Sequence, residues 1–228
     1  MQLITQRPLP TIRAVLFDMD GLLIDSEKIY LLAAMKCSEL YGYGINEELV
    51  KSTMGNNLPE TKRKYLAAMG QDFPFEEFLE RMEIIHKDYL DNNPLEKKKG
   101  VDEILDYLDT KGIQKVIATS TFRETADRFL KSVALDGRFD HIVYGDDLSE
   151  SKPKPQIYLK AIEPFPYDKE EILAFEDSAN GILSAHAAGL KVVHIPDIAY
   201  IPEEIKEKSF IVLNDLLEAI KLIDSINE

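Results

Sequence analysis

The chain has 228 residues, 45% of them apolar, enough to bury a sizeable core in one large domain or in one domain carrying a modest insert. Its 41 acidic against 27 basic residues leave a formal charge of −14, which argues against a nucleic-acid-binding surface and against an anionic membrane as partner. A single cysteine, Cys37, rules out an internal disulfide, and without a clustered Cys/His set no structural zinc site is expected.

No apolar stretch reaches membrane-spanning length, and the N-terminal Met1–Arg7 lacks the apolar region of a leader peptide, so a cytoplasmic protein is expected. A monomer is the expected state, with a dimer as the alternative. The first element is the apolar run Ala14-Val15-Leu16-Phe17, a buried-strand pattern that stops abruptly in Asp18-Met19-Asp20-Gly21. In an open parallel α/β sheet the chemistry sits beyond the carboxyl ends of strands, where two carboxylates at i and i+2 can serve one centre as ligand or nucleophile and as acid/base. An acidic turn closing a strand is the alternative reading of that string alone.

From about Glu27 to Asn92 apolar residues recur at helical spacing, first at Ile29, Leu32, Ala33 and Leu40 with Lys36 in the same series, then at Phe75, Phe78, Leu79, Met82 and Ile85. Breakers at Gly42, Gly44, Gly55, Pro59, Gly70 and Pro74 divide the stretch into about four helices, enough for a small bundle. From Gly100 onward helix and strand alternate. Helices are predicted over 101–111, 122–132, 157–162, 179–188 and 216–223, and strands over 114–118, 141–144, 172–175, 191–195 and 210–213. This rhythm predicts an α/β protein: a Rossmann-like, doubly wound parallel sheet interrupted early by a helical bundle. The expected division is a core of residues 1–26 and 96–228 with a cap of residues 27–95.

Three more strand ends carry polar groups. After 114–118 comes Thr119-Ser120-Thr121, whose hydroxyls and free N–H groups ahead of a helix suit an anion; an ordinary helix cap is the rival reading. The loop after Tyr144 leads to Ser151-Lys152-Pro153-Lys154-Pro155, where prolines stiffen the backbone around Lys154. After 172–175 comes Glu176-Asp177-Ser178, two carboxylates suited to a hard cation, again with a helix cap as rival.

The order Asp-x-Asp-Gly, Thr-Ser, Lys-Pro-x-Pro and Glu-Asp-Ser-x-x-Gly-Ile resembles the four motifs of the haloacid dehalogenase-like superfamily, over nearly the whole chain. The stretch from Asp18 to Glu27, followed at once by a helical insert, is similar to the branch of sugar-phosphate phosphatases and β-phosphoglucomutase. The resemblance implies Asp18 as a nucleophile that forms an aspartyl-phosphate, and Asp20 as acid/base whose backbone carbonyl also binds a metal. It further implies Thr119 and Ser120 as holders of phosphoryl oxygens, and Lys152, rather than Lys154, as the lysine that neutralises phosphate charge. Asp177, and Glu176 directly or through water, would complete with Asp18 a Mg²⁺ site. Gly21 would bend the backbone past the nucleophile, and Asp25 and Ser26 would shape the hinge, with a plain helix N-cap the alternative for Ser26.

The mutase alternative is weakened by Tyr30 at the cap-entrance position where the resembling mutase has histidine, and by the absence of arginine in Asn56-Asn57-Leu58-Pro59. Lys62, Arg63 and Lys64 could still serve it. Gln156 departs from the Asp common after Lys-Pro-x-Pro. A non-catalytic binding protein on the same fold would have lost a catalytic position, and none is missing. The expectation is a Mg²⁺-dependent phosphatase acting on a small phosphorylated metabolite, a sugar or sugar-alcohol phosphate.

Overall fold

A computed structural model describes residues 10–228, so the reading of Met1–Arg7 lies outside the described residues. Six strands form one parallel sheet in the order β3-β2-β1-β4-β5-β6: β1 (Ala14–Phe17), β2 (Gln114–Ala118), β3 (His141–Val143), β4 (Ile172–Glu176), β5 (Lys191–His194) and β6 (Ile211–Val212). The strand sequences explain this arrangement. Every residue of β1 is buried, because Val15 and Phe17 point into one apolar layer while Ala14 and Leu16 point into the other.

The first layer is closed by α5 (Val101–Lys111), α6 (Arg123–Ser132) and α10 (Leu216–Asn227), through residues such as Leu105, Phe129 and Leu222. The second is closed by α7 (Gln156–Ile162) and α8 (Ala179–Ala187), through Ile157, Ala161, Ile182 and Ala185. Phe17 stacks on Phe175 of the neighbouring strand at 5.4 Å between ring centres. Successive strands run outward from β1 in both directions, so the crevice beyond the carboxyl ends of β1, β2 and β4 is the topological switch point.

Between β1 and α5 lie four helices: α1 (Ser26–Tyr41), α2 (Glu47–Thr53), α3 (Leu58–Met69) and α4 (Phe75–Asn92). They share a third apolar cluster, with Ala33, Ala34, Cys37, Val50, Tyr65, Phe75, Phe78 and Met82 at its centre. Asn46 and Asn57 start α2 and α3 by accepting the N–H groups of Leu49 and Glu60. The apolar stripe expected of α1 holds in part. Ile29 and Ala33 are buried, but Leu32 and Leu40 are 45% and 58% exposed, and the rest of the buried face runs through the small residues Ala34, Cys37 and Ser38.

The two chain crossings pair with one another. Ile24 bridges antiparallel to Lys97, the Asp25 N–H donates to the Glu96 carbonyl at 2.9 Å, and the Lys98 N–H donates to the Leu23 carbonyl at 2.9 Å. One short helix, α9 (Glu203–Lys206), was not expected, because four residues are too few to display a period; Pro202 and the two glutamates that follow are its local start signal. The last helix runs on to Asn227, four residues beyond its expected end, with Ile223 and Ile226 still packed on the sheet. Among the described residues no helix is long and apolar enough to cross a membrane.

Phe17→Ala removes the ring that joins β1 to β4 at the centre of the sheet. Chemical denaturation is expected to show a loss of about 3–5 kcal/mol, and a loss below about 1 kcal/mol would contradict this placement of the core.

Candidate active site

All four polar strand ends converge. The register pairs Phe17 with both Ile117 and Phe175, so the residues just past these positions, Asp18, Thr119 and Glu176-Asp177, emerge side by side. The last ladder bond of the strand comes from the Asp18 N–H to the Phe175 carbonyl at 3.1 Å. The chain then turns sharply at Gly21, whose φ of +79° is left-handed, and a Cβ there would overlap Asp177 Oδ2.

Lys152 is buried and donates from Nζ to Asp18 Oδ1 at 2.5 Å and to Glu176 Oε1 at 2.6 Å. Lys154, two residues on, is exposed, and its carbonyl accepts from the Ser184 hydroxyl at 2.6 Å, which ties the proline loop to α8. Tyr158 also donates to Glu176 Oε1, at 2.5 Å, and the Ser178 hydroxyl reaches Glu176 Oε2 at 3.2 Å. Both Glu176 oxygens therefore have protein partners. A Cβ at residue 181 would overlap the Glu176 carboxylate, so Gly181 is what lets α8 pass this close. The cap of α8 is Ser178, which accepts the Gly181 N–H; neither Glu176 nor Asp177 serves as its cap.

Asp20 is held from two sides. Ser26 donates to Oδ1 at 2.6 Å and Thr121 donates to Oδ2 at 2.7 Å, with Thr119 at 3.5 Å. Ser26 is the first residue of α1 rather than its N-cap, and it orients Asp20 instead. Thr119 is buried and accepts the Thr121 N–H at 3.0 Å, whereas Ser120 and Thr121 line the adjoining cavity. Asp25 contacts Lys98 at 3.4 Å, and Lys98 also pairs with Asp197 at 2.5 Å, joining the chain crossing to the loop after β5. Gln156 does local work, its side chain accepting the Glu150 N–H at 2.9 Å.

Burial pushes the Asp18 carboxyl up from 3.8 to about 7; Lys152 pulls it down, while Glu176 and Asp20 add to the rise. Burial likewise holds Asp177 well above the carboxylate range, reinforced by Asp18 and Glu176. Burial alone would lower Lys152, but Asp18 and Glu176 outweigh it and keep the ammonium charged. One cation thus faces a crowd of carboxylates. Asp18, Glu176 and Asp177 offer oxygen atoms that all lie within 4.8 Å of one another, and Asp177 Oδ1 is buried with no hydrogen-bond partner among the described residues. An unpartnered buried carboxylate oxygen in an all-oxygen donor set fits a hard divalent cation.

A family model for the haloacid dehalogenase-like hydrolases matches residues 15–195. The chain belongs to that family. A phosphorylated carbohydrates phosphatase of Thermotoga maritima is 34% identical over 184 residues, spanning 79% of this chain and 83% of the relative. A (DL)-glycerol-3-phosphatase of Arabidopsis thaliana is 31% identical over 195 residues, spanning 82% of this chain and 80% of the relative. The crystal structure of a haloacid dehalogenase-like protein of Agrobacterium tumefaciens superposes with a TM-score of 0.81 at 23% identity, covering 95% of this chain and 100% of that one, and so shares the fold.

Sequence reasoning missed several site residues of this hydrolase. Thr121 stood in the motif string but was passed over for Thr119 and Ser120. Tyr158 lies in the apolar stripe of α7, where nothing distinguishes it from a core aromatic. Glu27 borders the cavity above Asp20, and burial, then Asp20, Asp197 and Asp18, push its carboxyl up to about 8.

Because the fold favours protonated Asp18, this group's contribution to stability is full below 3.8 and is lost as pH climbs through about 7. A divalent cation must displace that proton, so thermal melting should show a larger stabilisation by Mg²⁺ at about pH 8 than at about pH 5.5. Equal shifts at both values would contradict the fit. Gly21→Ala, which crowds Asp177, should lose most of the Mg²⁺-dependent shift.

Proposed function

We propose that this phosphatase hydrolyses a small phosphorylated metabolite, a sugar or sugar-alcohol phosphate, through an aspartyl-phosphate on Asp18, with residues 27–95 as a cap over the core formed by 1–26 and 96–228. The observation that carries the reading is the division of labour between two aspartates. Asp18 is fixed by a buried lysine, and Asp20 by two hydroxyl donors at the cap entrance.

In the first half-reaction an Asp18 carboxylate oxygen bonds to phosphorus while the ester P–O bond breaks, and Asp20 delivers a proton to the departing oxygen. In the second, water attacks the same phosphorus, Asp20 takes its proton, and the Asp18–phosphorus bond breaks to release inorganic phosphate. Lys152 keeps Asp18 oriented and offsets phosphoryl charge. Ser120, with Thr119 at the same strand end, supplies donors to the phosphoryl oxygens. Asp18, Asp177 and the Asp20 carbonyl would hold Mg²⁺, with Glu176 behind them as the partner of Lys152. Bound there, Mg²⁺ would neutralise charge on the transferring phosphoryl group.

Among the described residues, the cap cations that the mutase alternative would use for a second phosphate are already paired. Lys62 pairs with Glu76, Arg63 pairs with Glu60 at 2.6 Å, and Lys64 donates to the Ser52 carbonyl.

Phosphate release from pentitol and hexose phosphates should require Mg²⁺ and stop with EDTA. Asp18→Asn should fall to about one part in 10⁴ of the parent rate or below. Asp20→Asn should lose about 10²–10⁴-fold in kcat. Full activity of Asp18→Asn would overturn the reading.

A further inference from the structure

The crevice continues past the phosphoryl end. Asp20, Glu27, Gly55, Asn56 and Thr121 border two cavities at once: the one that holds Asp18 and Lys152, of about 240 Å³, and a second of about 400 Å³ between α1, α3, α4 and α6. The second cavity is where the group attached to the phosphate must lie.

Its walls are chemically uneven. Met54, Leu58, Leu79 and Phe129 make an apolar side. His86 lines it as well, two turns along α4 from Leu79, with its ring edge-on to Tyr30, 5.9 Å between centres, and among the described residues its buried Nε2 has no hydrogen-bond partner. Burial holds the imidazole below its ordinary value, so it is a neutral donor or acceptor. Of the lining hydroxyls, Ser26 and Thr121 are used on Asp20 and Thr53 on the Val50 carbonyl, while Tyr30, Thr61 and Thr125 add further hydroxyls beside His86.

Among the described residues no lysine or arginine lines this cavity. Arg128 is exposed and lies 5.4 Å over the Phe129 ring, outside the lining, and Arg81 pairs with Glu77 on the far face of the bundle, over Tyr41. The two charged residues at its border, Asp20 and Glu27, are both acidic. Arg128 acts on His86 from outside the lining, but among the described residues no cation in the lining would pair directly with an anion stripped of water here.

We infer that the leaving group is uncharged and has one apolar face, that phosphomonoesters bearing a second phosphate or a carboxylate are rejected, and that His86 and Glu27 determine specificity by hydrogen-bonding its hydroxyls. This rests on the phosphatase reading and narrows it. An empty His86 Nε2 in a partly apolar chamber suits a polyol or deoxy-sugar with hydroxyls on one side. Pyrophosphate and carboxylated esters do not fit it.

The test compares matched esters in the presence of Mg²⁺: 2-hydroxyethyl phosphate against phosphoglycolate, and a pentitol 5-phosphate against the pentitol 1,5-bisphosphate, with p-nitrophenyl phosphate as a general probe. The neutral member of each pair should have the higher kcat/KM by at least about tenfold, since one uncompensated buried charge costs well over 1.4 kcal/mol. Equal or better turnover of the anionic members would overturn the inference while leaving the phosphatase reading intact. Absence of turnover with every ester, p-nitrophenyl phosphate included, would overturn the phosphatase reading and this inference with it.

Two variants sharpen the result. Leu79→Lys, at a half-buried wall position, should narrow the gap between the pentitol mono- and bisphosphates. His86→Ala should raise KM for the pentitol phosphate several-fold with a smaller change in kcat, and leave KM for p-nitrophenyl phosphate nearly unmoved; equal effects on both esters would remove His86 from specificity. Circular dichroism checks that each variant is folded, and the matched pairs measured on the parent protein decide the inference if either is not.

Discussion

The Lys152 ammonium, buried between Asp18 and Glu176, is the contact around which the rest of the site is arranged. Two carboxylates brought together by the register of β1 and β4 would repel one another in a dry interior, and a single cation between them makes that register tolerable. The geometry around the lysine follows from this need. Tyr158 and Ser178 occupy the remaining acceptor capacity of Glu176, Gly181 lets α8 approach the carboxylate, and Ser184 anchors the proline loop that delivers Lys152. Removing one partner from such a buried pair typically costs about 3–5 kcal/mol, so the same residue secures both the fold at this edge and the orientation of Asp18.

Lys152 does not balance all the charge. Asp177 and Asp197 each keep a buried oxygen without a partner, and Asp18 and Asp177 are both pushed toward their protonated forms. A protein whose net charge is −14 has concentrated part of that charge where a phosphate ester would have to bind. On the proposed function, local positive charge would come from Lys152 and from a divalent cation, and affinity for an anionic substrate would then be conditional on the metal. The crossings between sheet and helical bundle are tied to the same place: Lys98 bridges Asp25 and Asp197, and Asn180 donates to the Gly55 carbonyl at 2.6 Å from the start of α8. The position of the helical bundle and the placement of Asp20 are consequently coupled, since α1 carries Ser26 at its first residue.

Much of this was legible in the sequence. The strand of four buried residues ending in Asp18, the alternation after Gly100 and the four polar strand ends are periodic or punctuated signals, and the structure reproduces α5 and β2 to the residue. The choice of Lys152 over Lys154 came from resemblance, and the reason lies in packing: only Lys152 is directed into the core. Less legible were contacts between residues far apart in the chain. Tyr158 and Glu176 meet only when α7 packs against the sheet, and Thr121 meets Asp20 only through the pairing of β2 with β1. The exposed Leu32 and Leu40 misled for a related reason. On α1 the buried face takes Ile29 and Ala33 from that stripe and is completed by Ala34, Cys37 and Ser38, small residues that composition does not mark.

The most direct test of a covalent role for Asp18 is chemical trapping. The enzyme would be mixed with substrate and Mg²⁺, quenched with acid during turnover, reduced with borohydride and mapped by peptide mass spectrometry. An acyl-phosphate on Asp18 predicts reduction of that side chain to homoserine at position 18 and at no other carboxylate, dependent on substrate. Label on another residue, or an unlabelled Asp18 in an enzyme shown to accumulate a phosphorylated form, would contradict the account.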